Sequence, residues 1–156
     1  MKKDRGFTLL ELMAIVVIIA IIAAFTVPAL LAARRASNAT NAFGNLRSFA
    51  SAMTTYSQDR RDQMFPLTMK EAEVYYSHID PKGGYKYCYF SNGSCFVYYA
   101  YPASISNGVK IYYVDESSRI FEAMANPSFI KEPTVDLNES SIGRVKDPAL
   151  NWQKKS

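Results

Sequence analysis

Residues 12–33 form a run of 22 residues without a charge, and only Thr26 and Pro28 interrupt its apolar character. As a helix it would extend about 33 Å, enough to cross a hydrocarbon core of about 30 Å. The mean hydropathy of −0.10 conceals this run, because the rest of the chain is polar, tyrosine-rich and broken by Pro, Gly, Asn and Ser. The first expectation is therefore a membrane-length anchor followed by a soluble part. The 156 residues suffice for one domain. A formal charge of +4 is too mild to indicate nucleic acid by itself, and two cysteines with one histidine exclude a Cys/His zinc module built from this chain alone.

The start of the chain does not read as an ordinary secretory signal. Lys2, Lys3 and Arg5 precede the apolar run and favour a cytoplasmic N-terminus, but the run is too long and no small-residue cleavage site ends it. The small residue stands before the run, at Gly6. Glu11 lies just inside the apolar stretch, where an unpaired carboxylate costs about 3 kcal/mol at mid-membrane and less near an interface. A cut after Gly6 would place a new amine on Phe7, four residues before Glu11 and so on the same helix face. Pairing with that amine, in the same or an adjacent chain, is one reading; a carboxylate reaching into the headgroups is the other.

The segment Gly6-Phe7-Thr8-Leu9-Leu10-Glu11-Leu12-Met13, with the basic leader before it and an Ile/Val/Ala run to Pro28 after it, resembles the N-terminus of type IV prepilins and type II secretion pseudopilins. The strict resemblance covers residues 1–33 and extends loosely to about residue 58. It implies a leader, residues 1–6, removed by a prepilin peptidase that cuts after Gly6 and N-methylates Phe7. It implies that Glu11 pairs with the Phe7 amine of a neighbouring subunit, and that residues 7–33 leave the bacterial inner membrane to form the core of a cell-surface filament. An assembly platform with its own ATPase would supply the energy. One departure stands out: Ala20 occupies a position where many members carry glycine, and alanine favours helix by about 1 kcal/mol.

Beyond the anchor, residues 34–59 continue the helical pattern. Phe43, Leu46, Phe49 or Ala50, Met53 and Tyr56 recur at three- and four-residue spacing, a stripe suited to packing on a globular part. Pro28 removes one backbone hydrogen bond and should bend the helix. From residue 7 to 57 the helix would measure about 75 Å, so half of it must protrude into lipid or other subunits. Residues 60–156 form the headgroup. Thr68-x-x-Glu71 is a capping box, predicting a short helix over 68–75. Strands are expected at 85–90, 95–101 and 109–114, with a fourth at 119–123, and Asn92-Gly93 marks a tight hairpin. Residues 80–84 read as a turn. The fold class is α+β, a long helix packed on a three- or four-stranded antiparallel sheet over about residues 85–123, whose other face meets water or a neighbour. Residues 124–156, with Pro127, Pro133 and Pro148, read as an irregular tail.

Cys88 and Cys95 flank the hairpin turn, and an exported domain occupies an oxidising compartment, so a disulfide between them is expected, with buried thiols as the alternative. A two-residue turn would make them diagonal neighbours, and a bond would then require a bulge or a wider loop. Many pilins bridge a C-terminal loop instead, but no cysteine follows Cys95. His78 has no acid or thiol partner at a suggestive spacing and reads as an exposed turn residue. Asp136, Asn138, Glu139 and Asp147 lack the rhythm of a calcium loop, so no metal and no cofactor is expected. The N-x-S/T triplets at Asn38, Asn92 and Asn138 are of a kind that arises by chance. Eleven tyrosines and nine phenylalanines suit strands and cores rather than electron conduction. Tyr85-Lys86-Tyr87 and Lys110-Ile111-Tyr112 have the composition of a single-strand DNA surface, although a solvated strand face explains them equally well.

The expected function is structural and not enzymatic: a homopolymer-forming pilus subunit serving adhesion, motility or DNA uptake. A type II pseudopilin and a minor, priming or tip pilin are the alternatives within the family. A single-pass anchored binding protein that never polymerises is the alternative outside it.

Overall fold

The structure, a computed structural model, describes residues 7–77, 82–125, 132–140, 144–146 and 152–155. The chain divides into two compact units, Met1–Arg34 and Arg35–Ser156. Helix α1 (Leu9–Asp59) runs through the apolar stretch, through Pro28 and on to Asp59. In the first unit, residues 7–34 are all exposed.

In the second unit the rear of α1 packs on a five-stranded antiparallel sheet. The strands are β1 (Tyr85–Ser91), β2 (Phe96–Pro102), β3 (Lys110–Asp115), β4 (Ile120–Met124) and β5 (Gln153–Lys155), in that spatial order. Four of these fall within a residue or two of the expected spans. The stripe on α1 buries Ala42, Leu46, Phe49, Ala50, Met53 and Tyr56. Ala42 leads this stripe and Phe43 is only half-buried, because the i, i+4, i+7 row through Leu46 and Phe49 starts at 42.

Period-two alternation sends Phe96, Tyr98 and Ala100 of β2 and Tyr112 and Val114 of β3 toward the helix. Phe49 is their hub: its ring stacks on Tyr98 at 3.8 Å and meets Tyr76, Tyr89 and Phe96 edge-on. Tyrosine suits these positions because its ring fills the core while its hydroxyl reaches a polar acceptor at the border. Tyr85 donates to the Lys110 carbonyl at 2.8 Å and Tyr89 to that of Pro66 at 2.6 Å.

The opposite face of the sheet is a second core, contrary to the expectation that it meets water or a neighbour. Val97, Tyr99, Ile111, Tyr113, Phe121 and Ala123 are covered by Val135, Leu137, Val145 and Trp152. The segment expected to be an irregular tail thus supplies a lid and a strand. Val135 bridges Val145, and β5 pairs Gln153 with Glu122 and Lys155 with Ile120. The arrangement is stabilised by an ion pair between buried Arg144 and Glu116 and by Arg144 Nε donating to the Glu139 carbonyl at 3.0 Å.

Two smaller features have local causes. Helix α2 (Met69–Ala72) is shorter than 68–75; Thr68 caps it, but Glu71 reaches back to the amide of Leu67 rather than that of Thr68. On α1, Asn38 and Asn45 each bond to a group beyond the helix. Asn38 Nδ2 donates to the Asn107 carbonyl at 3.0 Å, and Asn45 Nδ2 to the Tyr87 hydroxyl at 2.9 Å. Gly84 sits at φ +75, and a Cβ there would stand 2.8 Å from Asn38 Nδ2, so glycine is required on both counts.

The expected disulfide is absent: no bond joins Cys88 and Cys95. The register explains why. Ser91 pairs with Phe96 and Cys88 with Tyr99, so the hairpin loop holds four residues, 92–95, and Cys95 lies within it. The Asn92 side chain winds this loop, its Oδ1 accepting from the amides of Ser94 and Cys95 and from Cys95 Sγ. Cys88 lies three residues back along β1 from Ser91, about 10 Å at the rise of a strand. That exceeds the Cα separation of about 7 Å that a disulfide tolerates. Cys95 is buried and its thiol also donates to the Leu137 carbonyl at 3.3 Å, joining the hairpin to the covering segment.

Candidate assembly site

Helix α1 begins with its own cap. Thr8 Oγ1 accepts from the Glu11 amide at 3.2 Å, and Glu11 Oε2 accepts from the Thr8 amide at 2.9 Å and from Thr8 Oγ1 at 2.8 Å. This is a reciprocal capping box, which satisfies two of the amides that a helix start leaves without partners. Thr8-Leu9-Leu10-Glu11 carries the same T-x-x-E signal as Thr68 to Glu71, and it was legible in the sequence for the same reason.

The cap has two consequences for the residues named from the sequence. It holds the Glu11 carboxylate at the first turn, against Thr8 of its own chain, with both donors on Oε2. It also leaves Phe7 outside the helix and 77% exposed. Gly6, the expected cleavage position, lies outside the described residues. Further along, Thr26 Oγ1 donates to the Ile22 carbonyl at 2.8 Å, a turn before Pro28, and the helix continues through the proline. Large apolar side chains are exposed throughout this segment, from Leu9 and Leu10 at 78% to Leu31 at 40%. A surface of this kind is stable only in lipid or against other apolar surfaces.

These features coincide with the match to a family of known sequences. The model of the prokaryotic N-terminal methylation motif matches residues 1–27. The chain carries a prokaryotic N-terminal methylation motif. No curated protein and no solved structure matches the chain. The methylation motif and the long apolar helix on an antiparallel sheet are together the features of the pilin and pseudopilin architecture.

Among the described residues, the others singled out in the sequence do not assemble into a site. Asp136 and Glu139 are held by Lys146 at 3.5 and 2.9 Å, and no group of three potential metal ligands occurs among the described residues. His78, Asp147 and residues 80–81 of the 80–84 turn lie outside those residues. Tyr85, Tyr87 and Tyr112 are buried in the core and offer bases no stacking face, while Lys110 pairs with Glu122 at 3.1 Å.

Proposed function

We propose that this protein is a type IV pilin-like structural subunit. It is inserted in the bacterial inner membrane, trimmed after Gly6 by a prepilin peptidase that methylates Phe7, and polymerised into a filament by an assembly platform and its ATPase. The observation that carries this reading is Glu11, bonded to Thr8, at the head of an exposed apolar helical segment that begins within the methylation motif.

Lipid tails are as apolar as leucine, so moving residues 7–33 from bilayer to filament gains little from the hydrophobic effect. Close packing and polar pairing must drive assembly. The Thr8 bonds both fall on Glu11 Oε2, which leaves Oε1 as the acceptor for the Phe7 amine of a neighbour. That pairing fixes register between copies. Pro28 adds a point of flexure in the packed segment. The protein performs no catalysis, and the filament serves adhesion, motility or DNA uptake; the pseudopilin and minor-pilin roles share the same chemistry.

Replacing Glu11 tests this. Glu11→Ala should leave a chain that is cut and membrane-held but missing from sheared surface fibres, while mass spectrometry of wild-type fibres should find methylated Phe7 at the N-terminus. Wild-type behaviour of Glu11→Ala would indicate an anchored protein that does not polymerise.

A further inference from the structure

The second unit exposes apolar side chains at the end where the chain comes from the apolar run. Ile105 is 47% exposed, Val109 38% and Met124 63%. Val109 and Met124 are neighbours: the Ala125 amide donates to the Val109 carbonyl at 2.8 Å, and Lys110 pairs with Met124 across β3 and β4. The loop that carries Ile105 and Val109 is bonded to α1 through Asn38 Nδ2 and the Asn107 carbonyl. Asn38 follows Ala33, the end of the apolar run, by five residues. Five residues of chain reach about 8 Å as helix and at most about 18 Å extended. Arg34 and Arg35 lie in that interval; Arg35 is half-buried, and its enclosed Nε has no hydrogen-bond partner in the protein.

A bilayer has about 5–8 Å of headgroup region on each side of its hydrocarbon core. A surface tethered to Asn38 is therefore within chain reach of that layer. On the reading that residues 12–33 span the inner membrane, we propose that this end of the globular unit rests on the lipid surface before polymerisation, with Ile105, Val109 and Met124 among the headgroups and Arg35 against lipid phosphate. Apolar side chains beside a cation are the composition that interfacial segments use. Glu122, two residues before Met124 on β4, is paired with Lys110 at 3.1 Å. The same contact would have to be released when a subunit is drawn into a filament.

Tryptophan scanning of the full chain in vesicles of phosphatidylethanolamine and phosphatidylglycerol, with lipids brominated near the top of the acyl chain, tests the proposal. Trp152 is the only native tryptophan, so each variant is read against the parent. Ile105→Trp and Met124→Trp should be quenched at least about twofold more than Val74→Trp, which is more open to solvent but beside Tyr75, whose hydroxyl is bonded to Asp59 at the other end of α1. Arg35→Gln should reduce the quenching at position 105. Val17→Trp reports the span itself through deeply brominated lipids. If Val17→Trp is quenched while positions 105 and 124 match position 74, the lipid contact is refuted and the span stands. If Val17→Trp is not quenched, the membrane reading fails and this proposal with it. A blue shift at 105 and 124 that grows with protein density, without lipid quenching, would assign the patch to a second copy instead and overturn the proposal.

Discussion

Replacing Arg144 by leucine should unseat the segment that covers the outer face of the sheet. The Arg144 side chain is 10% exposed and its partner Glu116 26%. The substitution removes the ion pair, strands the Glu139 carbonyl that Arg144 Nε satisfies, and leaves buried Asp115, whose Oδ2 has no hydrogen-bond partner, without the positive charge beside it. Breaking a buried pair from one side costs about 3–5 kcal/mol, and because water still reaches a quarter of Glu116 the expected loss is about 2–3 kcal/mol. Urea unfolding of the full chain in detergent, followed by Trp152 emission, should show a midpoint lowered by about 1–2 M. The double variant Arg144→Leu/Glu116→Leu should recover part of that loss, since a buried charge costs more unpaired than absent. Two results would refute the reasoning. One is a single-variant loss no larger than that of Lys70→Leu on exposed α2. The other is a double variant whose loss is the sum of the two single losses, which would mean that the pair is not coupled.

Phe49→Ala should lower stability by about 3–5 kcal/mol and the melting temperature by about 10–20 °C, whereas half-buried Phe43→Ala should cost less than half as much; differential scanning calorimetry separates them. Burial pushes the Tyr112 hydroxyl up to about 12 and raises Tyr85, Tyr89 and Tyr113 as well. The native state therefore keeps protons that the unfolded chain releases above about pH 10, so stability should hold below that pH and fall steeply beyond it, by about 1.4 kcal/mol per pH unit for each tyrosine involved. Melting curves between pH 8 and 12 check the sign, and a stability that rises there would refute it. Desolvation raises the Cys95 thiol above its ordinary value, so its alkylation in the native chain at pH 8 should be slow and should become fast in denaturant. Mass spectrometry without reductant should find both Cys88 and Cys95 alkylated after unfolding, and a mass two hydrogens lower would restore the disulfide.

Much of this protein is written in local sequence, where short-range physics decides. Residues 12–33 are too apolar and too long for any structure but a helix that needs lipid or its own kind. The stripe from Leu46 to Tyr56 follows from helix period, and β1 to β4 follow from β-prone runs between turn residues. The two T-x-x-E boxes are equally local, so the capped start at Thr8 and Glu11 was open to reading as well.

What the sequence left undecided depended on distant partners. Asn92-Gly93 fits a two-residue turn, and only the pairing of Ser91 with Phe96 widened the loop to four residues and carried Cys95 out of reach of Cys88. The segments around Val135, Val145 and Trp152 have no periodicity, because each places a single side chain on a surface assembled by other strands. Whether β2 and β3 bury one face or two cannot be seen in their tyrosine-rich runs, since a tyrosine ring serves a core or a wet surface equally well. That choice was made when Arg144 found Glu116 and β5 found β4, contacts between residues roughly thirty positions apart whose energies exist only once the sheet is formed.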